Sequence, residues 1–219
     1  MRIADAETFN ARLAQIILEE ERRILATAKP TPVAGIDDGL TAHWMNFNVL
    51  NWEYPEIREL RRIVLAGLQQ YWPLLPHVGT TEMDIAGISC WANVLRYGER
   101  LTMHHHDPAF VSAHYTVQSG LDGAPAPSVD CGATVYFRPG FAERSHGGDS
   151  SMAASLWDGD WRLETPPTPG KLMFFPSFVR HEVRPNLGPT ERISIAMDVF
   201  LKRQNLAIYF AGTRWFVPK

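Results

Sequence analysis

Between residues 5 and 28 the apolar positions Phe9, Leu13, Ile16, Ile17 and Leu25 recur at helical spacing among Glu and Arg. That spacing predicts an amphipathic helix, and the charged run Glu19 to Arg23 reads as its solvated face. Pro30 and Pro32 stop it, because the residue ahead of a proline is driven out of the helical region. Gly35 to Gly39 reads as a turn, and HWMNFNVLNW as a short strand or irregular wrap. Pro55 opens a second helix over 55–72, with Ile57, Leu60, Val64, Leu68 and Tyr71 on one face. From Met83 the texture changes to short β-favouring runs: ISCWANVLRY, FVSAHYTVQ, ATVYFR, KLMFFPSF, HEVRP and RISIAMDVFL. Gly and Pro separate them, which predicts a sandwich or barrel. Residues 141–163 read as a long insertion or lid. The aromatic tail 203–219 (Tyr209, Phe210, Trp215, Phe216) is expected to pack back onto the body.

A chain of 219 residues suits a single domain. The expected division is an N-terminal helical region over 1–80 packed on a β core over 83–202, with a tail at 203–219. A hydrophobic fraction of 45% can fill a real core. The net charge of −3 and the lack of any Lys/Arg block argue against a nucleic-acid partner. Apolar runs are too short to span a bilayer, and the polar start MRIADAETFNARL has no apolar signal core. The expectation is a cytoplasmic protein acting on a small-molecule substrate, with a homodimer left open. Cys90 and Cys131 form no CxxC motif and read as buried, reduced thiols.

The candidate chemistry is concentrated in MHHHDPAF and SFVRHEVRPN. On a strand, His104 and His106 would project from one face, because side chains alternate. His181 lies far downstream in a second strand-like run, and Arg192 and Ser194 follow in ERISIAMDV. Iron oxygenases hold Fe(II) with three ligands on one face of an octahedron, usually two His and a carboxylate. Two readings of the close pair are open: His104 with His106, or His105 with Asp107, which has the usual ligand types. A one-residue change of strand register would exchange them. Arg192 suits a bidentate grip on the distal carboxylate of a 2-oxo acid, and Ser194 would share its face. Asn93 and Tyr115, on neighbouring strands, are candidates for the same cosubstrate. His43, His77, His114 and His146 read as structural or exposed. Trp91, Arg96, Arg138, Trp157 and Trp161 are candidate pocket residues.

These residues resemble a known family. Trp91-Ala-Asn93, the Gly98 turn, the HxH pair and SAHYTV are similar to its W-x-N, H-x-H-P and S-G-x-Y-Y motifs. VYFRP resembles its l-x-f-x-d-P-r strand. PGKLMFFPSFVRHEVRPNLGPTERISIAMDV is similar to its G-x-L-x-x-F-P-s-x-x-x-H-x-V-x-P-n and e-R-I-S-x-s-f-n blocks. The family is that of the 2-oxoglutarate/Fe(II)-dependent oxygenases of the double-stranded β-helix fold, and the resemblance covers about residues 83–202. It implies a jelly-roll, cupin-like core with flanking helices. It also implies His104, His106 and His181 as metal ligands, and Arg192 and Ser194 as 2-oxoglutarate contacts. Spacing from His106 to Ser112 matches the family without a gap, which favours His104/His106 over His105/Asp107. Departures are Asp107 in place of Pro, and Ala113 and Thr116 in place of Gly and Tyr.

The expected activity is Fe(II)- and 2-oxoglutarate-dependent oxidation of a C–H bond, most simply hydroxylation, with release of succinate and CO2. A set of three histidines is unusual for that chemistry. It keeps alive a cupin-like metal enzyme that does not use 2-oxoglutarate, against which Arg192 argues, and a noncatalytic binding module that retains the fold.

Overall fold

The computed structural model describes residues 1, 3, 6–27, 40–41, 48–75, 83–125, 128, 130–139, 162–202 and 215–218. Two helices, α1 (Ala6–Thr27) and α2 (Pro55–Tyr71), precede most of the β-structure. The strands are β1 (Leu40–Thr41), β2 (Ile85–Leu95), β3 (Leu101–His104), β4 (Val111–Ser119), β5 (Thr134–Phe137), β6 (Arg162–Thr165), β7 (Leu172–Pro176), β8 (His181–Val183) and β9 (Arg192–Leu201). They form a five-stranded sheet of order β1-β2-β9-β4-β7 and a four-stranded sheet of order β3-β8-β5-β6. Every pairing is antiparallel. From β2 to β9 successive strands alternate between sheets except at β5–β6, and the inner faces meet. Arg192 on β9 reaches Thr134 on β5, and Phe175 on β7 packs against His181 on β8. This is the jelly-roll layout of a double-stranded β-helix.

The hydrophobic core lies outside this sandwich, between the large sheet and the helices. The outward residues Val111, Ala113, Tyr115, Val117, Ile193, Ile195, Met197 and Val199 pack with Leu13 and Ile17 of α1 and Ile57, Leu60, Val64 and Leu68 of α2. Pro55 sits in the first turn of α2, where its missing N–H costs nothing. Gly67 lets α2 approach β7 closely: a Cβ there would stand 2.9 Å from the Phe174 ring.

Four expectations change. In α1, Ile24 is buried while Leu25 is exposed, so the apolar stripe ends one position earlier than its spacing suggests. The run from Glu19 to Arg23 is not wholly solvated. Glu21 is buried and accepts a two-pronged pair from Arg96 (2.7 and 3.2 Å), and Glu20 accepts from Tyr54 Oη at 2.6 Å. That pair ties α1 to the end of β2 and removes Arg96 from the candidate pocket residues. Arg162 and Leu163, assigned to the insertion, belong to strand β6. The rest of the 141–163 segment lies outside the described residues, as do Gly35–Gly39, His43, His77, His146, Trp157 and residues 203–214. Of the tail, Phe216 bridges to Ile88 and Trp215 packs edge-on to Phe200. Among the described residues, no helix is long and apolar enough to cross a membrane.

Tyr115 also lies away from its expected place. Strand alternation puts Ser112, His114 and Thr116 inside the sandwich and Tyr115 outside, where it is fully buried beneath α1 and donates to Asn10 Oδ1 at 2.6 Å. It therefore holds a helix to the sheet and faces away from the sandwich interior, contrary to its expected place beside a cosubstrate. Tyr115→Phe should lower stability by about 1–2 kcal/mol, since Asn10 Oδ1 is left buried without its donor. The 2-oxoglutarate concentration giving half-maximal turnover should not change; a rise of tenfold would return Tyr115 to the site.

Candidate metal and cosubstrate site

β3 and β8 place His104 directly opposite His181 in register. Their ring centroids are 4.3 Å apart. β3 ends at His104, so His106 is not carried to the same place by strand alternation, as the HxH spacing had suggested. It lies past the strand end, where its backbone N–H donates to Ser177 O at 2.9 Å on the turn between β7 and β8. Its ring stands 5.0 Å from each of the other two. Each of the three histidines offers one ligand nitrogen, and these atoms lie within 4.8 Å of one another. His105 and Asp107 are brought elsewhere: both are exposed, and they pair with each other at 3.3 Å.

The second nitrogen of each ring identifies the available one. Nδ1 of His104 meets Thr102 O at 2.6 Å, Nδ1 of His181 meets Val179 O at 3.1 Å, and Nδ1 of His106 meets Asp198 at 2.9 and 3.0 Å. Carbonyl and carboxylate oxygens only accept, so in each ring the proton is on Nδ1 and Nε2 carries the free lone pair. His106 Nε2 is buried with no hydrogen-bond partner among the described residues. Burial, and then the neighbouring His106, pushes the His104 pKa down to about 4. Burial likewise drives His181 well below its ordinary value. Neutral rings with convergent lone pairs fit a divalent transition metal.

The inner face of the large sheet supplies the rest. Along β9, alternation turns Arg192, Ser194, Ala196 and Asp198 inward, and the register sets Asn93 of β2 and Thr116 of β4 on either side of Ser194. Arg192 is only 1% exposed. Its Nε donates to Gly132 O at 2.8 Å, Nη1 to Ser194 Oγ and Nη2 to Thr134 Oγ1, both at 3.2 Å. Each terminal nitrogen keeps a second N–H. Gly132 has φ +62°, and a Cβ there would stand 3.2 Å from Arg192 Cδ, so a glycine serves this contact. Burial lowers the Arg192 pKa to about 10, so the group stays charged at neutral pH. No carboxylate pairs with it among the described residues. A buried guanidinium in that state favours an incoming anion. Asn93 is buried, and its Oδ1 also has no partner among the described residues.

Between the histidines and Arg192 lie residues the sequence reading passed over. Tyr136 stands opposite His181 in register and stacks on it at 5.8 Å. Its hydroxyl hydrogen-bonds His114 Nδ1 at 3.0 Å. His114, read as a lone structural histidine, thus lines the interior, and burial followed by the charge of Arg192 lowers its pKa to about 3. Trp91 does reach the site, stacking on His106 at 5.4 Å. Asp198 and Ser112 were missed as well. Their one signal in the sequence is parity: Asp198 shares the strand face of Arg192 and Ser194.

A search of curated proteins finds no match. Among solved structures, a prolyl-4-hydroxylase of Pseudomonas putida is similar in fold, with a TM-score of 0.54 and 18% identity over 88% of each chain. The non-heme alpha-ketoglutarate-dependent carbocyclase SnoK of nogalamycin biosynthesis is similar at a TM-score of 0.55 and 14% identity, over 99% of this chain and 86% of that one. At such identities the likeness establishes the shared double-stranded β-helix. The family model described as "Putative 2OG-Fe(II) oxygenase" matches residues 89–198, from Ser89 within β2 through Asp198 on β9. The chain therefore belongs to the family of 2-oxoglutarate/Fe(II)-dependent oxygenases.

Proposed function

We propose that His104, His106 and His181 hold Fe(II) through Nε2, and that Arg192, helped by Ser194 and Asn93, holds the distal carboxylate of 2-oxoglutarate. The observation that carries this reading is the pairing, inside one sandwich, of three histidine ligand atoms within 4.8 Å of one another with a buried guanidinium that no carboxylate pairs among the described residues. The bound iron would supply O2 activation, coupled to decarboxylation of 2-oxoglutarate to succinate, and oxidation of a C–H bond in a small-molecule substrate.

The chain's own residues do the positioning. The Nδ1 acceptors fix three ring orientations before any metal arrives, which lowers the ordering cost of binding. Burial keeps His104 and His181 neutral, so protons compete weakly for their lone pairs. Trp91 stacks on one face of His106 and Phe175 packs against the ring at right angles, which limits water around it. Arg192 retains two N–H groups that can point at one carboxylate, while Ser194, Thr134 and Gly132 hold its planar fork still. Tyr136 and His114 wall the space between the two ends with a hydrogen bond of their own.

His181→Ala should abolish tight metal binding, measured by titration with Co(II) or anaerobic Fe(II). His105→Ala and Asp107→Ala should bind like the parent. The reverse pattern would move the site to the exposed pair.

Arg192→Ala should weaken 2-oxoglutarate binding by about 2–5 kcal/mol, roughly thirty-fold or more, while leaving metal affinity nearly unchanged. Arg192→Lys should recover part of the loss, since an ammonium cannot reproduce the fork. An alanine variant that is folded, binds 2-oxoglutarate normally and loses metal would make the arginine structural.

The metal-free protein should lose stability in acid. Burial holds His104 near 4 and His114 near 3, against an ordinary value of 6.5 in the unfolded chain. As pH falls below 6.5 the unfolded state takes up protons that the folded state refuses. Stability is therefore full above that value and declines toward pH 4. Urea midpoints recorded across this range should fall; a flat profile would mean that these rings are solvated.

A further inference from the structure

The three histidines share one arrangement, but their Nδ1 partners differ in charge. His104 and His181 donate to neutral backbone carbonyls, Thr102 O and Val179 O. His106 donates to both oxygens of Asp198, at 2.9 and 3.0 Å. That carboxylate is itself fixed. Ser112 Oγ donates to Asp198 Oδ1 at 2.6 Å, and Asp198 is centred on the large sheet between Ser89 of β2 and Ser112 of β4. Its side chain is only 13% exposed, and that of His106 only 9%. Among the described residues no Lys or Arg pairs with Asp198. Its contacts are the Ser112 hydroxyl and the His106 ring. The other nitrogen of that ring, Nε2, is buried and has no hydrogen-bond partner among the described residues.

We propose that Asp198 is a positioning residue for the metal: it fixes the His106 tautomer and supplies, one ring away, the negative charge that a carboxylate ligand would place directly on the ion. The inference rests on the three-histidine metal site proposed above. Three neutral imidazoles alone leave a divalent ion with its full charge in a mostly buried pocket, and charge burial without compensation is costly. Asp198 offsets that charge without occupying a coordination position. It also polarises His106, since a ring that donates to a carboxylate is a more basic ligand than one that donates to a carbonyl. The three ligands are thereby unequal, with His106 the strongest donor. Ser112 keeps the carboxylate oriented and adds no charge of its own.

The test is Co(II) affinity, measured by competition against a chelator of known strength, together with the thermal midpoint of each metal-free protein. Asp198→Asn keeps the size and one acceptor oxygen but removes the charge. It should bind Co(II) about 10–100-fold more weakly, the usual range for a lost partner of a metal-bound histidine, with a metal-free midpoint close to that of the parent. Ser112→Ala keeps the charge and should stay within about three-fold of parental affinity. A folded Asp198→Asn protein that binds Co(II) like the parent overturns the proposal. So does a Ser112→Ala protein that loses as much affinity as Asp198→Asn, because orientation would then outweigh charge. Should Asp198→Asn not fold, the parent loaded with Zn(II) and labelled with 15N-histidine supplies the second measurement. His106 should carry its proton on Nδ1 in a strong hydrogen bond, shifted downfield of the Nδ1 protons of His104 and His181; three equivalent Nδ1 protons, or a proton on His106 Nε2, would overturn it. Parental protein that fails to bind Co(II), or His181→Ala protein that binds it equally well, would refute the metal site itself. Parental binding that Asp198→Asn leaves unchanged refutes only the role of Asp198.

Discussion

The two-residue alternation of β9 is the constraint on which the molecule depends. Ile193, Ile195, Met197 and Val199 turn outward and are fully buried beneath the helices. At about 1.5–3 kcal/mol for each large apolar side chain removed from water, this face contributes on the order of 6–12 kcal/mol of gross burial. The same alternation necessarily turns Arg192, Ser194, Ala196 and Asp198 inward. A slip of one residue would press a guanidinium and a carboxylate against α1 and α2 and leave four apolar side chains inside the site. The register that stabilises the fold is therefore the register that builds the candidate site.

That arrangement separates two jobs. The large sheet and the helices form an apolar core outside the sandwich, so the interior between the sheets is released for polar groups. There, burial keeps the His104 and His181 imidazoles neutral at one end, and at the other it holds a charged guanidinium that no carboxylate pairs among the described residues. Tyr136 links the two ends, stacking on His181 while its strand neighbour Thr134 receives Arg192. The positive end and the Asp198 end sit on one strand, so both are fixed by the same ladder of β2 and β4.

Much of this was legible in the sequence, for definite reasons. The helices and most strands carry clear periods or β-rich runs, and the His104, His181 and Arg192 blocks have enough motif content to identify the family. The misreadings share one cause: the sequence does not say which face of an element meets which neighbour. Tyr115 looked available until its parity placed it under α1, and Glu21 looked solvated until Arg96 came to meet it. His106 is reached by a chain that leaves the strand after His104, which a rule about strand alternation does not describe. His114, Tyr136, Asp198 and Ser112 were passed over because their roles depend on contacts between distant strands.

The central claim is that one small dianion can bridge the three-histidine centre and Arg192. Anaerobic titration of the Fe(II)-loaded protein with 2-oxoglutarate tests it most directly, by following the visible charge-transfer absorption that a chelated 2-oxo acid gives. The absorption should appear and saturate with 2-oxoglutarate. 2-Oxobutyrate, which lacks the distal carboxylate, should need far higher concentrations. Tight Fe(II) binding with no such absorption, or equal affinity for the two acids, would contradict it.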